Sequence, residues 1–245
     1  MTRRALVTGA SRGIGTAIAH ALATSGHQVA VHYRSAPDKA EEVANNLPGE
    51  GHTTVQGDLG ANQAEQIVND TVEQLGGLDV LVNNAGVYFF HPILTTSFAE
   101  WQDAWRSTIE LNLFGPADLA WHAVRHMTDG GRIINVGSRG AYRGEPDAPA
   151  YGAAKAGLHA MTQSLAQSLA PKGIAVAGVA PGFVRTDMVT DFLASAEGDA
   201  IRAQSPFNRV GEPEDIAAAV AWLAQPEAVW ASGTIIDLNG ASYLR

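Results

Sequence analysis

Short apolar runs alternate along this chain with longer stretches in which apolar positions recur every third or fourth residue. The short runs predict buried strands at Arg4 to Thr8, His27 to His32, Thr53 to Gln56, Val80 to Asn83, Arg132 to Val136, Ala175 to Val179 and Thr234 to Leu238. The longer stretches predict helices at Thr16 to Ser25, Pro37 to Leu47, Gln63 to Leu75, Phe98 to about Ala123, Ala150 to Leu169 and Pro213 to Ala224. Strands and helices in this alternation predict an α/β doubly wound parallel sheet of about seven strands, flanked by helices on both faces: a Rossmann fold. The stretch 187–209 sets Met188, Phe192, Leu193 and Phe207 among Ser, Gly and acidic residues. That mixture suits a helical lid over an apolar pocket and an ordinary surface excursion equally well.

Composition narrows the class. The chain has 245 residues, 46% of them hydrophobic and 17% charged, and it shows no linker, repeat or low-complexity segment. A single domain over residues 1–245 is expected. No apolar run approaches the roughly 20 residues that span a bilayer, and the first strand begins too early for a signal peptide. The sequence therefore predicts a cytoplasmic protein with no membrane partner. The absence of cysteine excludes disulfides and thiolate chemistry. The eight histidines lack metal-ligand spacing, so no metal site is expected. A net charge of −9 argues against nucleic acid as a partner, while leaving room for a local basic pocket.

Such a pocket is predicted near the N-terminus. The first strand runs into Gly9-Ala10-Ser11-Arg12-Gly13-Ile14-Gly15 and then a helix. Glycines let the backbone approach a pyrophosphate closely, and the helix N-terminus adds free N–H groups and a positive dipole end. The second strand ends in Tyr33-Arg34-Ser35, where an acidic side chain would hold the adenosine ribose of NAD. No acid stands there. Arg34 offers a fork-shaped cation suited to a 2′-phosphate, Arg12 converges on the same group, and NADP(H) is the expected cofactor. Asp38 reads instead as a first-turn helix residue, with Ser35 as the N-cap.

Polar residues follow the other strands, and in an open parallel sheet ligands lie beyond the strands' carboxyl ends. Asp58 and Leu59 after the third strand are expected at the adenine, with the Asp58 carboxylate on its amino group. Asn84, Ala85 and Gly86 after the fourth are expected to admit close approach of the cofactor. Tyr151 and Lys155 stand one helical turn apart on one face. A cation beside a phenol favours the phenolate, so Lys155 is expected to bring the Tyr151 pKa toward the working range and make it a usable acid or base.

Taken together, these stretches resemble the short-chain dehydrogenase/reductase family over nearly the whole chain. Thr8 to Gly15 looks like that family's cofactor turn, and Asn83-Asn84-Ala85-Gly86 like its strand-stabilising motif. The resemblance implies a catalytic set of Asn112, Ser138, Tyr151 and Lys155. It implies that Ser138 holds the substrate oxygen, that Tyr151 moves the proton, that Lys155 also holds the nicotinamide ribose, and that Asn112 anchors a water leading from Lys155; within Leu111-Asn112-Leu113 that residue also reads as a helix kink. Pro181, Gly182, Val184 and Thr186 would lie at the nicotinamide carboxamide. The implied reaction is hydride transfer between a carbonyl and a secondary alcohol, in a homo-oligomer, a tetramer by resemblance. For that assembly the helix faces of Trp101, Trp105, Ile109 and Leu113, and of Ala153, Gly157, Ala160, Met161 and Leu165, offer surfaces suited to helix pairing.

A non-catalytic NADP-binding sensor would have no need of all four catalytic residues, and a nucleotide-binding methyltransferase would lack the Ser and Tyr-x-x-x-Lys set. The closest branch is that of the 3-oxoacyl-carrier-protein reductases, which implies an acyl carrier protein partner and a basic docking surface. Thr128-Asp129-Gly130 falls where those enzymes tend to be basic, and two acidic partners repel. Tyr88, Tyr142, Phe183 and Phe192 predict aromatic surface at the substrate pocket. The expectation is thus a small free carbonyl or alcohol substrate, with carrier-linked reduction as the alternative.

Overall fold

The computed structural model describes residues 2–186 and 195–245. β1 (Arg4–Val7), β2 (Gln28–Tyr33), β3 (Thr53–Gln56), β4 (Val80–Asn83), β5 (Arg132–Val136), β6 (Ala175–Pro181) and β7 (Ile235–Leu238) form one seven-stranded sheet in the order β3-β2-β1-β4-β5-β6-β7. Every neighbouring pair is parallel. The crossovers are α1 (Gly13–Thr24), α2 (Pro37–Asn46), α3 (Ala64–Leu75), α4 (Phe98–Ile109) with α5 (Gly115–Ala123), α7 (Pro149–Leu169) and α9 (Pro213–Leu223).

Alternate residues of each strand feed opposite faces, as a pleat requires. Val7, Val31, Val82 and Ile134 pack with Ile18 and Leu22 of α1 and Ile216 and Val220 of α9. Leu6, Ala30, Leu81 and Ile133 pack with Ile67 of α3, Leu119 of α5 and Ala166 of α7. Burial on both faces explains why the strands read as continuous apolar runs. β1 is flanked by β2 and β4, so the strand order reverses beside it, and a crevice opens beyond the carboxyl ends at that point.

Four local differences from expectation have physical causes. Ala36, not Ser35, is the N-cap of α2, which has no side-chain cap bond; Pro37 supplies the preset first turn, and Asp38 does lie in it. The long helix from Phe98 is interrupted by a π turn at Glu110–Phe114, set by the side-chain bonds of Asn112 described below. β6 continues to Pro181. The short helices α6 (Gly140–Arg143) and α8 (Ala196–Arg202) occupy stretches with no clear apolar period. Residues 187–194, about a third of the expected lid, lie outside the described residues. Among the described residues, no helix is long and apolar enough to cross a membrane.

Candidate active site

The glycine turn between β1 and α1 is built for close approach. Gly9 and Gly13 have φ of 63° and 57°, which L side chains rarely adopt. A Cβ on Gly15 would stand 2.3 Å from the Gly9 carbonyl oxygen and 2.7 Å from Asn84 Nδ2. Asn84 is locked in turn: its backbone N–H donates to Thr8 Oγ1 at 2.9 Å and its Nδ2 to Thr8 O at 2.8 Å. The strand-4 motif thus clamps the strand-1 turn.

A residue that sequence reasoning missed completes this frame. His32 is buried, accepts from Gly9 N at 3.0 Å through Nδ1, and donates through Nε2 to Gly57 O at 3.1 Å. Burial pulls its pKa down to about 4, so the ring is neutral, with its proton on Nε2. It ties the glycine turn to the loop after β3. Nothing in the apolar strand pattern around His32 signals that role.

These elements enclose a cleft of about 420 Å³. It brings together Gly9, Ser11, Arg12, Gly13, Ile14, Gly15, Tyr33, Arg34, Ser35, Asp58, Leu59, Asn84, Ala85, Gly86 and Thr186. Lys39, one turn into α2, adds a third cation that the sequence reading did not include. Among the described residues, neither Arg12 nor Arg34 has a carboxylate partner within ion-pair distance. The end of β2 therefore presents unneutralised positive charge. Asp58 Oδ1 accepts from Gly60 N at 2.9 Å, which holds this carboxylate at the cleft rim. Pro181, Gly182 and Val184 do not line this cleft. Gly182 N donates to Leu238 O at 3.0 Å, and Val184 bridges to Gly211.

The second part of the site lies beyond β5. Ser138 Oγ accepts from Gly140 N at 3.0 Å, and the Ser138 hydroxyl stands near enough to the Tyr151 phenol to act on its pKa. Lys155 is buried, its Nζ donating to Val136 O at 2.8 Å and lying 5.7 Å from the Tyr151 ring centroid. Burial pushes the Tyr151 phenol up to about 12, opposed by Ser138, and pulls Lys155 down to about 8. The expected lowering of Tyr151 by Lys155 is therefore not found in the chain alone: burial dominates, and Ser138, not Lys155, is what opposes it. A phenol in that state is a proton donor at neutral pH.

Asn112 sits in the π turn, fully buried. Its Nδ2 donates to Val87 O and its Oδ1 accepts from Val87 N, both at 2.8 Å. Its side chain thus fastens the helix to the loop after β4. A Cβ on Gly86 would stand 3.0 Å from Asn112 Oδ1 and 3.6 Å from Lys155 Nζ, which places those two groups on one side of the cofactor loop.

The aromatic residues separate. Tyr88 meets Tyr151 edge-on, with ring centroids 5.1 Å apart. Tyr142 packs instead on His159 at 5.0 Å and under the Arg245 guanidinium at 4.2 Å, on the side of the C-terminus. Phe183 lies 5.5 Å from the Arg139 guanidinium and lines a separate cavity of about 340 Å³ with Phe207 and Arg209. Aromatic character alone does not say which side of a strand end a ring will take. Phe192 lies outside the described residues. No group of three metal-ligating side chains occurs among the described residues.

A family model described as enoyl-(acyl carrier protein) reductase matches residues 9–240. The chain is 39% identical to the 3-oxoacyl-[acyl-carrier-protein] reductase FabG of Staphylococcus aureus, over 100% of this chain and 99% of that protein. Among solved structures, a short-chain dehydrogenase from Burkholderia cenocepacia in complex with NADP superposes with a TM-score of 0.89. It is 36% identical, over 98% of this chain and 97% of that one. The angucycline C-6 ketoreductase LanV with bound NADP gives a TM-score of 0.87 at 34% identity, over 97% and 94%. With the glycine turn, the Asn84 clamp and the Ser138, Tyr151 and Lys155 cluster in place, this chain belongs to the short-chain dehydrogenase/reductase family.

Proposed function

We propose that this chain is an NADP(H)-dependent oxidoreductase that interconverts a free ketone and its secondary alcohol, with Tyr151 as general acid and base. The observation that carries this reading is the Ser138 hydroxyl acting on the Tyr151 phenol, next to a glycine-walled cleft lined by Arg12, Arg34 and Lys39. The residues fit the cofactor. The Gly15 cradle leaves no room for a side chain, and Arg12, Arg34 and Lys39 surround the place where a ribose-binding acid would select NAD. Bound NADPH supplies the hydride. Ser138 then holds the carbonyl oxygen, and Tyr151 donates its phenolic proton to it. Lys155, anchored on Val136 O, keeps a positive charge near the phenolate that remains. Asn112 acts as a positioning residue for the loop over which the cofactor lies.

The substrate reading rests on charge and surface. A Cβ on Gly173 would lie within 1.8 Å of Asp129 Oδ1, so this carboxylate adjoins Lys172 and offsets the basic patch that an acidic carrier would seek. Exposed Tyr88, Phe89 and Phe90 supply apolar surface at the mouth. The Staphylococcus relative favours carrier-linked 3-oxoacyl reduction as the second reading. NADPH oxidation assayed with free ketones and with acetoacetyl carrier protein separates the two. A carrier substrate preferred by more than about a hundredfold in kcat/KM, about 2.7 kcal/mol, overturns the first.

A homotetramer, in the cytoplasm, completes the proposal. Trp101 and Trp105 are half-buried and stack on each other within the chain, so that face is partly used. Phe114, Trp121, Trp222 and Trp230 remain exposed and suit contacts between copies. Light scattering at micromolar concentration is expected to give four chains; a monomer overturns this assignment.

A further inference from the structure

We infer that Glu145 is a specificity-determining residue of the substrate pocket, accepting a hydrogen bond from a hydroxyl or ammonium group close to the reacting carbonyl. This rests on the oxidoreductase reading above and names the substrate class of the same site.

Glu145 follows Gly144, whose φ of 78° turns the chain out of α6, and its carbonyl accepts from Ala148 N at 3.1 Å just before α7. The side chain leans into space that Gly140 leaves open: a Cβ on Gly140 would stand 2.5 Å from Glu145 Oε1. Gly140 is the residue whose N–H holds Ser138 Oγ. On the other side, a Cβ on Gly152, next to Tyr151, would stand 3.9 Å from Glu145 Cβ. The Glu145 side chain thus runs between the backbone segments that carry Ser138 and Tyr151, with its carboxylate against Gly140. Its charge reaches both Tyr151 and Tyr88.

This carboxylate is half-buried, and burial pushes its pKa up, opposed by Arg143 and Arg139 at longer range. Among the described residues no donor reaches it. The Arg139 guanidinium is committed to Ser242 and Gln204, and Arg143 also donates to Gln204. A carboxylate partly removed from water without a donor is costly, and a ligand that supplies the donor recovers that cost. A substrate with only hydrocarbon at that point leaves the carboxylate unpaired. One with a second carbonyl or an anion there sets acceptor against acceptor. A site of this kind discriminates more sharply than an apolar pocket that merely fits.

The test uses α-hydroxyacetophenone, α-aminoacetophenone and propiophenone, which share a ring and a carbonyl and differ in the group beside it. In the wild type, kcat/KM with NADPH is expected to favour the hydroxyl and amino ketones over propiophenone by roughly ten- to hundredfold. In Glu145→Leu the ratio falls to about one; Glu145→Gln, which keeps the shape and an acceptor, retains part of the hydroxyl preference and loses the ammonium preference. Absence of preference in the wild type, or a ratio unchanged in Glu145→Leu, overturns the inference. If none of the ketones is reduced, the oxidoreductase reading fails on these substrates. Calorimetric binding of the same ketones to the NADP-loaded wild type and Glu145→Leu then decides Glu145 by itself, equal affinities overturning it.

Discussion

Tyr88 and Tyr151 meet edge to face, with ring centroids 5.1 Å apart and ring planes at 60°. Tyr88 comes from the loop after β4 and Tyr151 from the first turn of α7, so the contact joins the cofactor side of the cleft to the proton donor. Such a pair contributes about 0.5–1.5 kcal/mol beyond its buried area. Tyr88→Ala is expected to lower stability by about 1 kcal/mol and to reduce kcat through a less constrained phenol. Urea unfolding and steady-state rates measure the two effects, and an unchanged kcat would mean that Ser138 alone orients Tyr151.

Removing the phenolic oxygen should separate binding from chemistry. Tyr151→Phe keeps the ring that packs on Tyr88 and deletes the proton donor, so turnover should fall by far more than tenfold while NADPH affinity stays close to that of the wild type. A residual rate above about a tenth, a loss of only about 1.4 kcal/mol, would assign the acid elsewhere.

Cofactor choice follows from the three cations around Ser35. NADP(H) is expected to bind roughly ten- to hundredfold more tightly than NAD(H), the yield of about 1.5–3 kcal/mol from a charge-assisted contact with phosphate. In Tyr33→Asp combined with Arg34→Ala the preference should vanish or invert. Lys39→Ala should weaken NADP(H) and leave NAD(H) nearly unchanged. Titration by nicotinamide fluorescence reads all of these.

Among the groups that couple stability to acid, His159 and His32 carry large shifts, with His27 and Asp79 lowered as well. Burial first, and then the nearby Lys155 and Arg245 charges, pull His159 down from 6.5 to about 4, while burial alone dominates the same shift in His32. Between those pH values the unfolded chain binds a proton that the folded chain refuses, so stability is full above about 6.5 and is lost as the pH falls toward 4. Each ring accounts for about 3 kcal/mol at the acid end. The His159 ring nitrogens have no hydrogen-bond partner among the described residues, so His159→Leu sacrifices none of the described hydrogen bonds. This variant should shrink the difference in urea stability between neutral pH and pH about 4.5. An unchanged difference would move the acid sensitivity to other groups.

The strands were the most legible part of the sequence. β3, β4 and β5 fall where their apolar runs predict, because burial on both faces of a parallel sheet leaves few polar interruptions. The glycine turn and the Tyr151 and Lys155 pair were legible from residue type and spacing, and Ser138 through the family resemblance. What stayed hidden depends on partners distant in the chain. The π turn around Asn112 is set by two bonds to Val87, and Leu111-Asn112-Leu113 carries the same period in a straight helix. Likewise the Lys155 spacing is plain in the sequence, while the depth that raises the Tyr151 pKa is a property of the packed cleft. Tyr142 and Phe183 were identified as aromatic surface, but Arg245 and Arg139 decide where their rings lie.

The position of β1 between β2 and β4 has a consequence for how the chain matures on the ribosome. The first strand made is an inner strand, and one of its two neighbours, β4, is encoded only from Val80 onward. The β1, α1 and β2 unit emerges early and can pair along one edge, with His32 already able to hold Gly9. Its other edge stays open until Asn84 arrives to close on Thr8. Nascent chains arrested before that point would carry a half-made nucleotide cradle with an unpaired apolar edge, the species on which a chaperone would act during synthesis.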